Sequence, residues 1–185
     1  MLICDFIQHV RMLSLEKSSF VECAKMFSHK KRDDKYFQEE SLPIYAYVVE
    51  NNIDPNLEIV RGREKYSWDA RIGNDIILEV VQALPPKAYM VRKGLSKGLC
   101  STEIWYHIQD EIYFPDVIVK SIQLKQKKIY PEKRILLVSV LGEYTYESDD
   151  RIFQWVSQIR RTTDRGQFAG IYLVDVSRLK IYSIF

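Results

Sequence analysis

The stretch YSWDARIGNDIILEVVQALPP, Tyr66 to Pro86, reads as two strands folding back on each other, and the length of the loop between them decides which face every side chain takes. A two-residue turn at Gly73 and Asn74 would set Trp68 opposite Glu79 and Asp69 opposite Leu78, mixing polar and apolar groups on both faces. A three-residue loop of Gly73, Asn74 and Asp75 instead pairs Ala70 with Leu78, Ile72 with Ile76, Trp68 with Val80 and Asp69 with Glu79. One face is then wholly apolar. The other carries Ser67, Asp69, Arg71, Ile77, Glu79 and Val81, so the register that satisfies the apolar pattern also brings two carboxylates together. Two acids so placed repel unless a cation lies between them or one holds a proton. A hard divalent ion such as Mg²⁺ is one solution, since it binds carboxylates together with phosphate oxygens and water. The plainer alternative is a pair of sheet-face acids neutralised by Arg71 or Arg63.

The sequence on either side supplies the context of this hairpin. Before it, FVECAKMF, which Ser18 and Ser19 can cap, and DDKYFQEESLPIYAYVVENN carry helical spacing, with Pro43 as a kink or restart, and NNIDPN ends the second. LEIVRG adds a first strand, completing an antiparallel three-stranded meander from Leu57 to Leu84. After it comes a basic loop, PPKAYMVRKGLSKGLC, followed by helices in STEIWYHIQDEIYF and PDVIVKSIQLKQKKIY. RILLVSVLG is a continuous apolar run, suited to a strand covered on both faces. SDDRIFQWVSQIRR has the pattern of a capped amphipathic helix, and FAGIYLVDV with RLKIYSIF closes the chain as a strand pair. This order predicts a single α/β domain over 1–185, a three-layer-like sandwich with a central mixed β-sheet flanked by helices, with 1–32 as an N-terminal helical extension.

Composition narrows the class. A hydrophobic fraction of 46% with 28% charged residues excludes disordered and fibrous chains, and a net charge of +2 excludes a polycation that binds nucleic acid through bulk charge. The 3 cysteines, Cys4, Cys23 and Cys100, are dispersed and suit reduced thiols. Asp5 and His9 interrupt the apolar start, and no run reaches membrane-span length, so the expectation is a cytoplasmic, unprocessed chain without a membrane partner. His9, His29 and His107 lack zinc-site spacing, and Cys100, although near a helix start, has no histidine at a nucleophile's spacing. Trp68, Trp105 and Trp155 read as core residues.

An aspartate on the second strand of a meander, a glutamate on the third about ten residues later, and helix, strand, helix, strand thereafter resemble the PD-(D/E)XK, or restriction-endonuclease-like, nuclease superfamily. The likeness spans most of the chain after roughly Glu39 in element order, and in motif it rests on "WD" and "LEVVQ". It implies a restriction-endonuclease-like fold in which Asp69 and Glu79 bind Mg²⁺ or Mn²⁺, with Glu40 or Glu39 of the preceding helix as the third acid. The family's lysine, which orients or activates the attacking water, falls at Val81 here. Some members carry glutamine instead, and Gln82 is the nearest polar residue, although an ideal strand points it away from Glu79 unless a bulge near Val80 intervenes. Lys87 and Lys93 are further candidates for the missing charge. A second "PD", Pro115–Asp116, leaves no room for two strands before "QLK" and is set aside.

The resulting expectation is a metal-dependent phosphodiesterase acting on or binding DNA or RNA, with Asp69, Glu79 and Gln82 catalytic and Lys87, Arg92, Lys93 and Lys97 contacting phosphates. A homodimer is a further implication of the family likeness. The alternative is a catalytically inactive module of the same fold serving protein interaction or regulation, to which the absent lysine points. The later basic run, Lys120, Lys125, Lys127, Lys128, Lys133 and Arg134, is expected to form a solvated helix face, and Arg160, Arg161 and Arg165 have no orientation assignable from periodicity.

Overall fold

The computed structural model describes residues 1–16, 37–62, 66–84, 114–140 and 149–185. Its centre is a six-stranded mixed sheet whose spatial order follows chain order: β1 (Ile59–Arg61), β2 (Ala70–Ile72), β3 (Ile76–Gln82), β4 (Ile135–Val140), β5 (Gly170–Asp175) and β6 (Lys180–Ser183). β1, β2 and β3 form the expected antiparallel meander, β3, β4 and β5 run parallel, and β6 returns antiparallel to β5. Among the described residues four α-helices cover the two faces: α1 (Ile3–Glu16), α2 (Leu42–Glu50), α3 (Phe114–Gln126) and α4 (Asp149–Thr162). The result is a three-layer α/β sandwich.

Each face of the sheet has its own core. Ala70, Ile72, Leu78, Val80, Leu137 and Val174 pack against Ile3, Phe6 and Val10 of α1 and Ile44 and Val48 of α2. Leu136, Val138, Val140, Ile171 and Leu173 pack against Ile118 and Ile122 of α3 and Ile152, Val156 and Ile159 of α4. Both helices following parallel strands lie on this second face, because two right-handed crossovers moving the same way across a sheet keep to one side. β4 therefore contributes to both cores, which explains its unbroken apolar run. Within the expected N-terminal extension, α1 covers Ile3–Glu16 and packs into the core, since Ile3, Phe6 and Val10 are at most 1% exposed; the expected FVECAKMF helix lies outside the described residues. The rest of that extension, 17–32, with Cys23 and His29, lies outside the described residues, as do the segments expected to form the basic loop and the STEIWYHIQDEIY helix, with Cys100, Trp105 and His107.

Local chemistry accounts for the element ends. The helix before the meander begins as a π-helical turn, Phe37–Ser41, and continues as α2, with Pro43 at the helix start, where its missing N–H costs no hydrogen bond. Pro115 plays the same part in α3, so the second "PD" opens a helix. Gly62 is required for a different reason: a Cβ there would meet the Trp68 carbonyl oxygen at 1.7 Å, so the chain after β1 and the approach to β2 touch backbone to backbone.

Candidate active site

The hairpin register follows the apolar pattern. Ala70 faces Leu78, Arg71 faces Ile77 and Ile72 faces Ile76 across the loop Gly73 to Asp75, where Gly73 takes a φ of 54°. The pairing stops short of Trp68, and Asp69 departs from its expected place opposite Glu79. Its amide donates to the Leu78 carbonyl at 3.0 Å, so Asp69 and Ala70 both stand against Leu78, the two-against-one arrangement of a β-bulge. The bulge is on β2, and not on β3 near Val80. On its other side β3 pairs with β4 without a break from Leu78 to Gln82, so Gln82 keeps the face of Val80, opposite to that of Glu79.

Released from the ladder, Asp69 turns its carboxylate to the Val80 amide, whose N–H donates to Asp69 Oδ2 at 2.6 Å. An amide that β2 no longer reaches is thereby satisfied. Burial pushes the Asp69 carboxyl above its ordinary range, the Val80 N–H opposes that, and the charge of Glu79 adds to it.

Glu79 is 5% exposed and held from the α3 side of the sheet. Lys125 Nζ donates to its Oε1 at 2.6 Å, the Tyr130 hydroxyl reaches the same oxygen at 3.3 Å, and Arg134 Nη1 approaches Oε2 at 3.4 Å. Arg134 is itself 1% exposed; Nη1 also donates to the Ser67 carbonyl at 2.7 Å, and its guanidinium lies 4.0 Å from the centre of the Tyr130 ring. The expectation of a solvated basic face therefore fails for Lys125 and Arg134, while Lys120, Lys127, Lys128 and Lys133 are exposed as expected. Neither acid takes Arg71, which pairs with Glu132 at 2.9 Å, and Arg63 lies outside the described residues.

Glu40, in the π-helical turn, completes the group. Its carboxyl is pushed up to about 7, by burial first and then by the charge of Asp69, against the opposing pull of Arg61. Arg61 Nη2 stands 3.6 Å from Glu40 Oε2, and that oxygen is buried without a hydrogen bond. The charge of Asp69 thus helps to raise Glu40 and that of Glu79 helps to raise Asp69, while Lys125 pairs with Glu79. Among the described residues no three His, Cys, Asp or Glu side chains are grouped closely enough to form a ready-made metal site. Lys87, Arg92, Lys93 and Lys97 lie outside the described residues.

Lys125 is the residue that sequence reasoning misplaced, and its signal was readable. Ile118, Ser121 and Ile122 form the buried stripe of α3, and Lys125 continues that stripe at helical spacing, so its stem follows the core and its ammonium reaches the sheet. Arg134, at the mouth of an apolar strand, carried no such sign.

No protein-family model matches the chain, and comparison with curated proteins and with solved structures returned no match. Among the described residues no helix is long and apolar enough to cross a membrane.

Proposed function

We propose that this chain is a divergent restriction-endonuclease-like domain that binds nucleic acid and hydrolyses a phosphodiester with a divalent metal ion. The observation that carries the reading is the cation 2.6 Å from Glu79: the positive charge missing at Val81 is delivered from α3 by Lys125. Burial raises the Glu40 carboxyl to about 7 and pushes Asp69 above its ordinary range, and groups so perturbed are candidates for chemistry. The element order agrees with it, since a meander bearing Asp69 and Glu79 precedes helix, strand, helix and strand.

The donor chemistry fits a hard cation. Glu40 and Asp69 offer carboxylate oxygens whose mutual repulsion a divalent ion would relieve, and the unbonded Glu40 Oε2 has coordination to spare. When bound, Mg²⁺ or Mn²⁺ would polarise the phosphate and make water a stronger nucleophile. Glu40 and Asp69 would hold it, with Glu79 joining by exchanging Lys125 or Arg134 for the ion. Lys125 would then donate to the attacking water or to a phosphate oxygen, neutralising charge as it develops. Gln82, on the opposite face of β3, has no part in this arrangement.

The test is cleavage of labelled single- and double-stranded DNA and RNA in Mg²⁺ and Mn²⁺ by wild type, Asp69→Asn and Lys125→Met. Asp69→Asn keeps an oxygen for the Val80 amide while removing the charge. Cleavage by the wild type, lost in both variants, is the expected result. Metal-dependent cleavage that survives Asp69→Asn would sink the assignment.

One observation favours the inactive module instead: each acid already has a protein partner, Asp69 the Val80 amide, Glu79 Lys125 and Arg134, and Glu40 Arg61. On that reading no substrate is cleaved, and Mg²⁺ neither binds nor changes the stability of wild type relative to Asp69→Asn.

A further inference from the structure

Beside the acids, the chain entering β2 carries two aromatic rings in parallel. Tyr66 and Trp68 stack with centroids 4.5 Å apart and planes 3° from parallel. Trp68 is 8% exposed whereas Tyr66 is 46% exposed, so the stack starts in the interior and ends at the surface. Its position is fixed by the site itself: the carbonyl of Ser67, between the two rings, accepts from the same Arg134 nitrogen that approaches Glu79, and the residue after Trp68 is Asp69. Lys125 and Lys128 are close enough to bear on Asp69, and Lys127 and Lys128 are exposed on the same turn after α3.

A half-exposed ring stacked on a buried one, in the segment that leads directly to Asp69, has the properties of a stacking platform for a nucleobase. Every base offers a π-face, and stacking on an aromatic side chain contributes binding without demanding a sequence. A base in a duplex is already stacked on both sides and offers no face to Tyr66 unless it is unpaired. We propose that Tyr66, stiffened by Trp68, stacks an unpaired base and so directs the site to single-stranded nucleic acid, or to single-stranded stretches next to a duplex. The inference rests on the nucleic-acid reading above and adds the substrate class to it.

The experiment measures fluorescence anisotropy of a labelled oligo-dA strand, an abasic strand of the same length and an oligo-dA·oligo-dT duplex, in EDTA and again in Ca²⁺, with wild type, Tyr66→Ala and Tyr66→Phe. The wild type should bind the oligo-dA strand more tightly than the abasic strand or the duplex. Tyr66→Ala should weaken that binding by about tenfold or more, the effect of removing one stacked base, while Tyr66→Phe retains it. Phosphate contacts alone would leave oligo-dA and abasic strands equal. Nucleic-acid binding that ignores the bases, prefers the duplex or is unchanged in Tyr66→Ala overturns the platform and leaves the nucleic-acid reading standing. No binding to any probe in either condition overturns both.

Discussion

Two polar clusters sit on this sheet, and they treat their carboxylates in opposite ways. At the end of β5, Asp175 is fully buried, accepting from the Ser177 and Arg178 amides at 3.0 and 3.1 Å and from Arg178 Nε at 2.6 Å. The same guanidinium reaches Asp149 at 2.7 Å and the Tyr182 hydroxyl at 2.8 Å, while Lys180 donates to Asp149 at 2.9 Å. Lys180, Tyr182 and Arg178 together pull the Asp149 carboxyl down to about 2. That cluster is matched in charge and joins α4, β5 and β6. The Glu40, Asp69 and Glu79 cluster also has cations, Arg61 beside Glu40 and Lys125 and Arg134 on Glu79, yet burial and then the charge of Asp69 drive the Glu40 carboxyl up to about 7. The two clusters thus differ in what sets their carboxyls: hydrogen-bonded cations dominate at Asp149, and burial dominates at Glu40.

The contrast can be tested from its largest effect downwards. Glu79→Leu leaves Lys125 and Arg134 as uncompensated charges in the sheet's α3 face, and breaking such a pair should cost about 3–5 kcal/mol in urea unfolding. A loss no larger than that of an average surface substitution would mean that the pair is looser than its geometry.

The Glu40 carboxyl titrates higher in the folded chain than its ordinary value of 4.5, so its favourable contribution is complete below that pH and fades as pH rises through about 7. Glu40→Gln should flatten this decline and be the more stable protein at pH above 8, by at most about 3 kcal/mol. Parallel pH profiles for wild type and variant would break the contrast.

Asp69→Ala strands the buried Val80 amide and should cost about 1–3 kcal/mol, most of it restored in Asp69→Asn. Equal losses in the two variants would make the charge, and not the hydrogen bond, the source. The smallest effect belongs to the matched cluster. Asp149 titrates below its ordinary value, so its contribution is present above pH 3.8 and is lost as pH falls through about 2. Asp149→Asn should therefore differ slightly from wild type at neutral pH and lose its acid-limb dependence, as read by thermal melts between pH 2 and 5.

Much of the fold was legible because it rests on short-range patterns. The apolar alternation of 70–78 selected the loop length, Pro43 and Pro115 marked helix starts, and the unbroken run of β4 announced a strand covered on both faces. The same alternation put Asp69 opposite Glu79, a pairing that the structure does not keep. What surrounds the two acids was not legible. The bulge at Asp69 is a backbone choice that no side-chain period encodes, and it moved Asp69 off Glu79 and left Gln82 on the wrong face. The cations on Glu79 come from 46 and 55 residues further along the chain, a distance over which periodicity carries no information. Lys125 alone left a trace, as a charge that continues a buried helical stripe at its end.

The sequential strand order also sets an order of assembly. β2 meets β3 across three residues, and β5 meets β6 across Val176 to Leu179, so both hairpins close locally and cheaply in chain entropy. β3 meets β4, by contrast, only after the span 83–134 has been looped back, and β4 meets β5 after a helix. The parallel centre is thus expected to form late in folding, and β4, at its middle, contributes to both cores. Amide exchange should mirror this, with the β4 amides opening only when the whole molecule does, and the β1 edge exchanging far sooner.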